Sequence, residues 1–322
     1  MAVKDFDYEM YDEVIRMYLE GKGYSVDALV GNASLNKFTY SCEKEGMPFV
    51  AKMGVALEGD DTRVKDLRNE VEAVKRLWEL YPDGEAKSFL LPPGAEEVFD
   101  EKYGKIDIYG YSRFWLEGLC LGDDIRMGVQ HISDWIEKFN DIISEIDSFP
   151  KMDLPKTKEK EGTDINGKIL DTAKNYFEKL QSLAKAGKTS LDMSVLKGFQ
   201  AKYKESVEFF KKKKLVLGTV HGNLAPDNFV YENGKPYLIS FTKLCQCYPR
   251  LYDVPWVYSW ICVVTGDADT AQKFWDLSTG KLDKEMVDYL EKTGNLLLLG
   301  MLWEYLAREN NDLKVTNEMF FD

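Results

Sequence analysis

His221–Val230 reads HGNLAPDNFV, and the stretch ISFT, 239–242, stands beyond a short turn downstream of it. The apolar run LVLGTV, 215–220, precedes it, so the decapeptide is a loop that leaves one strand, turns around Gly222 and Pro226, and enters another at Phe229. Asn233-Gly234, between NFVYE and KPYLISF, is the residue pair of a two-residue hairpin turn. The hairpin carries Ile239–Thr242 back from its turn. One loop thus presents His221, Asn223 and Asn228 at fixed offsets, and the return strand adds Ser240.

Upstream, the chain divides into a β-rich third and a helical remainder. Tyr11, Val14, Ile15 and Tyr18 recur at helical spacing and stop at GKGYS. Residues 26–54 read as two or three strands with a polar turn at Glu43–Gly46, and PFVAKM places Lys52 on the last of them. A periodic helix follows through Leu67, Val71, Val74 and Leu77. A second hairpin turns at Lys102–Lys105 and runs through Tyr109, Tyr111, Phe114 and Trp115. From ISDWIEKFNDIISEI onward helices dominate, with Ile132, Trp135, Phe139, Ile142, Ile143 and Ile146 on one stripe. Lys151–Lys168 is polar and reads as a surface loop; from Asp253 the pattern is helical again. The expected organisation is a β-rich lobe over 1–117 and a helical lobe over 118–322 that contains the loop and its hairpin.

Composition narrows the function. The 322 residues are 44% hydrophobic and 30% charged, which permits a packed core, and the net charge of −13 excludes a general nucleic-acid binder, whose surface must be basic. Lys211–Lys214, the one basic run, is a solvated helix end that suits the negative end of the helix dipole. The apolar runs 254–264 and 296–303 are shorter than the roughly 20 residues of a membrane span, and the N-terminal MAVKDFDYEMYDEV has no apolar signal core. Five scattered cysteines and two histidines form no zinc pattern, so a cytoplasmic protein with reduced thiols is expected.

The residues themselves point to nucleoside-triphosphate chemistry. A strand lysine flanked by apolar residues needs an acidic partner, and Glu70 on the periodic helix is the candidate for Lys52. VGNASLNKF contains a small-residue turn with Gly31 and Asn36, able to bring backbone amides to phosphates, although a plain β-turn explains its single glycine equally well. The spacing of His221, Asn223, Leu224 and Asn228 matches the catalytic loop of protein kinases, H-R-D-L-x-x-x-N, with the following hairpin delivering Ser240 to the place of the metal-binding aspartate.

The chain resembles the aminoglycoside phosphotransferase and choline kinase branch of the protein kinase-like superfamily. HGNLAPDN is similar to its loop His-Gly-Asp-Leu-x-x-x-Asn, GNASLNKFTY to its Gly-x-x-Asn-x-x-Tyr loop, VAK to its nucleotide lysine, and RNEVEAVKRL to its Arg-x-Glu helix. RFWLEGLCL resembles its hinge, which carries Trp115 and Leu116; ISEIDSF looks like its Leu-Ala-x-Leu-His segment, with Asp147 for the histidine; and PRLYDVPW is similar to Pro-x-x-Tyr-Asp-Leu-Ala. The resemblance implies an α+β, two-lobed kinase-like fold. It also implies a nucleotide site at Gly31, Asn36, Lys52, Glu70, Trp115 and Leu116, a loop packed by His221, a metal position at Asn228, and a structural brace at Asp253.

Two positions depart from that pattern. Asn223 stands where the family's aspartate accepts or orients the proton of the attacking hydroxyl, and an amide cannot take it. Ser240 stands where a second aspartate ligates magnesium, which prefers charged oxygens in octahedral geometry. Asp227, next to Pro226, reads as a turn residue. The expectation is a pseudokinase that binds a protein, peptide or small-molecule partner, with ATP or another nucleotide still accepted, Mg²⁺ bound weakly or not at all, and neither nucleic acid nor membrane as partner. The competing readings are a slow or atypical ATP-dependent phosphotransferase of small molecules, and an assembly role similar to that of spore-coat proteins of this fold.

Overall fold

The computed structural model describes residues 7–30, 37–56, 61–150, 165–187, 191, 193–213, 217–308, 319 and 321. In chain order the elements are α1 (Tyr8–Gly21), β1 (Ser25–Leu29), β2 (Lys37–Lys44), β3 (Met47–Ala56), α2 (Thr62–Leu80), β4 (Glu97–Tyr103), β5 (Ile106–Phe114), β6 (Leu119–Cys120), α3 (Leu121–Arg126), α4 (Ile136–Asp147), α5 (Ile165–Lys185) and α6 (Met193–Phe210). Then come β7 (Leu217–Val220), β8 (Phe229–Glu232), β9 (Lys235–Leu238), β10 (Cys245–Pro249), α7 (Asp253–Trp260), α8 (Ala268–Thr279) and α9 (Lys284–Arg308). A 3₁₀ turn, Pro226–Asn228, precedes β8, and a π-helical turn, Ile261–Thr265, follows α7.

Contacts divide the chain into two units: residues up to Gly118 together with Val230–Leu244, and Leu119–Phe229 together with the chain from Cys245 onward. The sequence draws one boundary at 117/118, but the hairpin and the residues after it, Val230–Leu244, group with the first unit. Their backbone is held there: Asn69 Nδ2 donates to the carbonyls of Thr242 at 2.8 Å and Leu244 at 3.4 Å, and Leu90 exchanges bonds with Pro236 and Leu238.

The first unit is built on an antiparallel sheet in the order β1-β2-β3-β5-β4. Glu45-Gly46 and Asn233-Gly234 both take positive φ at both positions, the geometry of the tight turns whose twist matches the flanking strands. β3 crosses the middle of the sheet and is buried from Phe49 to Val55, so Lys52 is carried into the interior by its neighbours. α1, Phe38, Tyr40, Met53 and Phe99 share one core cluster, while Leu67 of α2 packs with Tyr109 and Tyr111 of β5. Gly110 lies between Tyr109 and Tyr111 because a Cβ there would come within 2.5 Å of the Lys52 carbonyl.

The second unit is helical around a two-stranded antiparallel ladder of β7 and β10. Val220 and Tyr252 share a cluster with Tyr248, Trp256 and Leu297, and α5, α6, α7 and α9 pack on one another through Phe199, Val257, Leu298 and their neighbours. One sequence expectation is corrected here, and one strand is added. The polar segment ends earlier than Lys168, since α5 begins at Ile165, while residues 151–164 lie outside the described residues. A strand, β10, stands between the hairpin and α7, where the sequence reading placed no element. Among the described residues, no helix is long and apolar enough to cross a membrane.

Candidate functional site

In the first unit the two charges picked from the sequence meet. Lys52 Nζ lies 2.8 Å from Glu70 Oε1, with the side chains 9% and 1% exposed. The same amine donates to the Ile239 carbonyl at 3.2 Å, and Glu70 Oε1 accepts the Phe241 N–H at 3.2 Å. The ion pair therefore grips the backbone on either side of Ser240, which is half-buried. Tyr111 stands across the ladder from Lys52, and its ring lies 5.8 Å from Nζ. Burial, then the charge of Glu70, pushes the Tyr111 hydroxyl well above its ordinary range. This wall is a dry one in which charged groups interact strongly.

Trp115 and Leu116 are half-buried at the exit of β5, and the Trp115 N–H donates to the Pro48 carbonyl at 3.1 Å. Gly31 and Asn36 lie outside the described residues.

The second unit holds the loop. Asp253, 2% exposed at the start of α7, accepts the His221 N–H at 2.6 Å and the Gly222 N–H at 2.9 Å, so a buried carboxylate fixes the loop by its backbone. Gly222 has φ of 75°, a conformation that favours glycine over any side-chain-bearing residue. His221 is 1% exposed and part of the packing. Asn228 Nδ2 donates to the Asn223 carbonyl at 2.7 Å, closing the loop on itself, and both asparagine side chains are half-buried.

Asp227 is more than a turn residue. Its Oδ2 accepts the Trp260 indole N–H at 2.7 Å and its Oδ1 is bound by the Arg126 guanidinium, whose own carbon lies 5.9 Å from the Trp260 ring centre. α3 reaches this carboxylate because Gly122 has no side chain: a Cβ there would come within 2.4 Å of Oδ1. Both oxygens are committed to donors, so the one carboxylate in the loop acts as a strut. The sequence offered no signal for this, because Arg126 and Trp260 lie 101 and 33 positions away. Arg250 similarly clamps Asp147 with three bonds of 2.7 to 3.0 Å, joining the turn before α7 to the end of α4.

The order of the elements, a five-stranded antiparallel sheet carrying the Lys52–Glu70 pair followed by a helical unit with a braced loop, can be set beside known structures. Over 92% of its length the chain matches the GDP complex of wild-type aminoglycoside 2'-phosphotransferase-IIIa, covering 91% of it with a TM-score of 0.58 at 14% identity. The fold is that of the aminoglycoside phosphotransferases. A thermostable mutant of APH(4)-Ia in ternary complex with ADP and hygromycin B matches at a TM-score of 0.56 and 13% identity, with 91% of each chain covered. Amicoumacin kinase in complex with AMP-PNP, Ca²⁺ and Ami matches at a TM-score of 0.54 and 11% identity, over 92% of this chain and 86% of that one. No protein-family model matches the chain, and no curated protein matches it by sequence.

In the second unit the loop carries the neutral amides of Asn223 and Asn228, whereas Mg²⁺ binds through carboxylates and phosphates. Among the described residues no group of three His, Cys, Asp or Glu side chains is placed to hold a metal ion.

Proposed function

We propose that the chain is a binding protein built on the aminoglycoside phosphotransferase fold, a pseudokinase that accepts a nucleotide and engages a protein, peptide or small-molecule partner without efficient phosphate transfer. One observation carries the reading. Carboxylates are missing at Asn223 and Ser240, and the nearest substitute, Asp227, has both oxygens held by Arg126 and Trp260. Loss of the proton acceptor and of a metal carboxylate removes two of the terms that make phosphoryl transfer fast, together several powers of ten in rate. The retained Lys52–Glu70 pair and the nucleotides bound by the solved neighbours, GDP, ADP and AMP-PNP, support a nucleotide role for the first unit.

Thermal unfolding with ATP, with and without Mg²⁺, tests it. A ligand at 100 times its dissociation constant stabilises by about 2.7 kcal/mol. A shift of similar size in either condition, with no γ-phosphate release on long incubation, is the expected result. Asn223→Asp with Ser240→Asp should then make the shift Mg²⁺-dependent. The absence of any shift removes the nucleotide from the proposal and leaves partner binding alone. Steady turnover by the unmodified protein, abolished by Lys52→Ala, overturns it in favour of a slow transferase.

A further inference from the structure

Phe321 is inserted among α7, α8 and α9. Its ring centre lies 4.3 Å from that of Tyr258 on α7 and 4.2 Å from that of Trp275 on α8, and these two rings meet edge-on at 5.6 Å. α9 admits the ring through Gly294, where a Cβ would come within 2.6 Å of Phe321. The next residue, Asn295, is wholly buried, accepts the Phe321 N–H at 2.8 Å, and donates to the Phe321 carbonyl at 3.0 Å. The Tyr258 hydroxyl donates to the carbonyl of Met319 at 3.2 Å, and Met319 is itself buried.

These groups divide their work as a peptide-recognition pocket does. Asn295 pairs with the N–H and C=O of one residue, as a neighbouring strand would, whatever that residue's side chain. Tyr258, Trp275 and the gap at Gly294 select an aromatic ring. An emptied pocket would leave a buried amide with neither of its partners, so occupancy is strongly favoured.

α7 joins the pocket to the loop. Asp253 at its start holds the His221 and Gly222 amides, Trp260 at its end holds Asp227, and Tyr258 between them holds Phe321. Pro255 of the same helix also borders the Gly294 gap. We propose that Tyr258, Trp275, Gly294 and Asn295 form a peptide-binding site with Met319 and Phe321 as its resident ligand residues, and that its occupancy sets the rigidity of the His221–Asn228 loop through α7. This rests on none of the nucleotide chemistry above.

Hydrogen exchange at the His221 and Gly222 amides reads the coupling in the full-length chain. Phe321→Ala should speed exchange at both by about 10-fold, through local opening rather than global unfolding. Leu180→Ala, a core deletion in α5, serves as the comparison: it lowers global stability without singling out those two amides. An excess of the peptide TNEMFFD, residues 316–322, should return the loop amides of Phe321→Ala to their original rate, and the same peptide with alanine for Phe321 should not. Should Phe321→Ala fail to fold, Phe321→Leu keeps most of the volume while losing the ring contacts, and the same amides and peptides are read. Unchanged loop exchange in the variant overturns the coupling. Acceleration that no peptide reverses makes Phe321 an ordinary core residue and overturns the binding site.

Discussion

At the residue scale, Lys52 and Glu70 put two charges inside a sheet-based unit, where desolvation costs several kcal/mol per ion and only mutual attraction and further hydrogen bonds offset it. Those further bonds go to Ile239 and Phe241, so each charge is committed twice. Lys52→Met strands the Glu70 carboxylate and should destabilise the protein by about 3–5 kcal/mol. Lys52→Met combined with Glu70→Met removes the stranded charge and should be more stable than Lys52→Met alone, at the remaining cost of the Phe241 N–H left without its acceptor. Urea unfolding of Lys52→Met, of Glu70→Met and of the double variant decides it. A double variant that equals the sum of the singles would mean the two charges are not interacting, and the grip on Ser240 would need another cause.

At the element scale, the amphipathic helices and the glycine turns were legible because their signals are local. Leu67, Val74 and Leu77 are buried along α2 as their spacing requires, and Glu45-Gly46 and Asn233-Gly234 turn as their residue types require. β10 was not legible, because five residues with no periodic run become a strand only through pairing with β7, as between Cys245 and Val220. Asp253 and Lys52 stood out by motif, but the roles of Asp227 and Asn295 depend on side-chain bonds to distant residues, which leave no periodic trace. α8 shows a local signal that also sets a pH dependence. Asp267 caps it, accepting the Thr270 N–H at 2.9 Å and the Thr270 hydroxyl at 2.6 Å, and that hydroxyl bond chiefly holds the carboxyl below the ordinary aspartate range. Asp267→Ala should cost about 1 kcal/mol at neutral pH. With the folded value depressed, the cap's charge-dependent stabilisation is complete above the unfolded value of about 3.9 and is lost as pH falls through the folded one. Urea midpoints of parent and variant should therefore converge in strongly acidic solution. A constant gap down to the lowest pH would show that the charge of Asp267 plays no part.

At the scale of the whole molecule, the chain passes between its two units at 118/119, 229/230 and 244/245, so the first unit is completed by a segment whose ends belong to the second. Val230–Leu244 supplies the first unit with the backbone groups that Lys52, Glu70, Asn69 and Leu90 bind. Its ends are fixed by Phe229, which packs on Phe139, and by Cys245, which pairs with Val220. If the second unit unfolds, those ends are freed, and docking the segment must then offset the entropy of ordering a loose chain. Loss of the second unit should therefore weaken the first, and the molecule should unfold as one. Two buried thiols report this separately: Cys42 in the first unit, where burial pushes the thiol up to about 11, and Cys262 in the second, where burial pushes it up to about 12. Asp253→Asn removes the charge that holds the His221 and Gly222 amides, and should cost about 2–3 kcal/mol. In pulsed alkylation along a urea gradient, read peptide by peptide, both cysteines should become reactive at one midpoint, and in Asp253→Asn both midpoints should fall together, although the substitution touches only the second unit. Protection of Cys42 that persists after Cys262 has reacted would show that the first unit folds without its borrowed segment being held, and the coupling would be refuted.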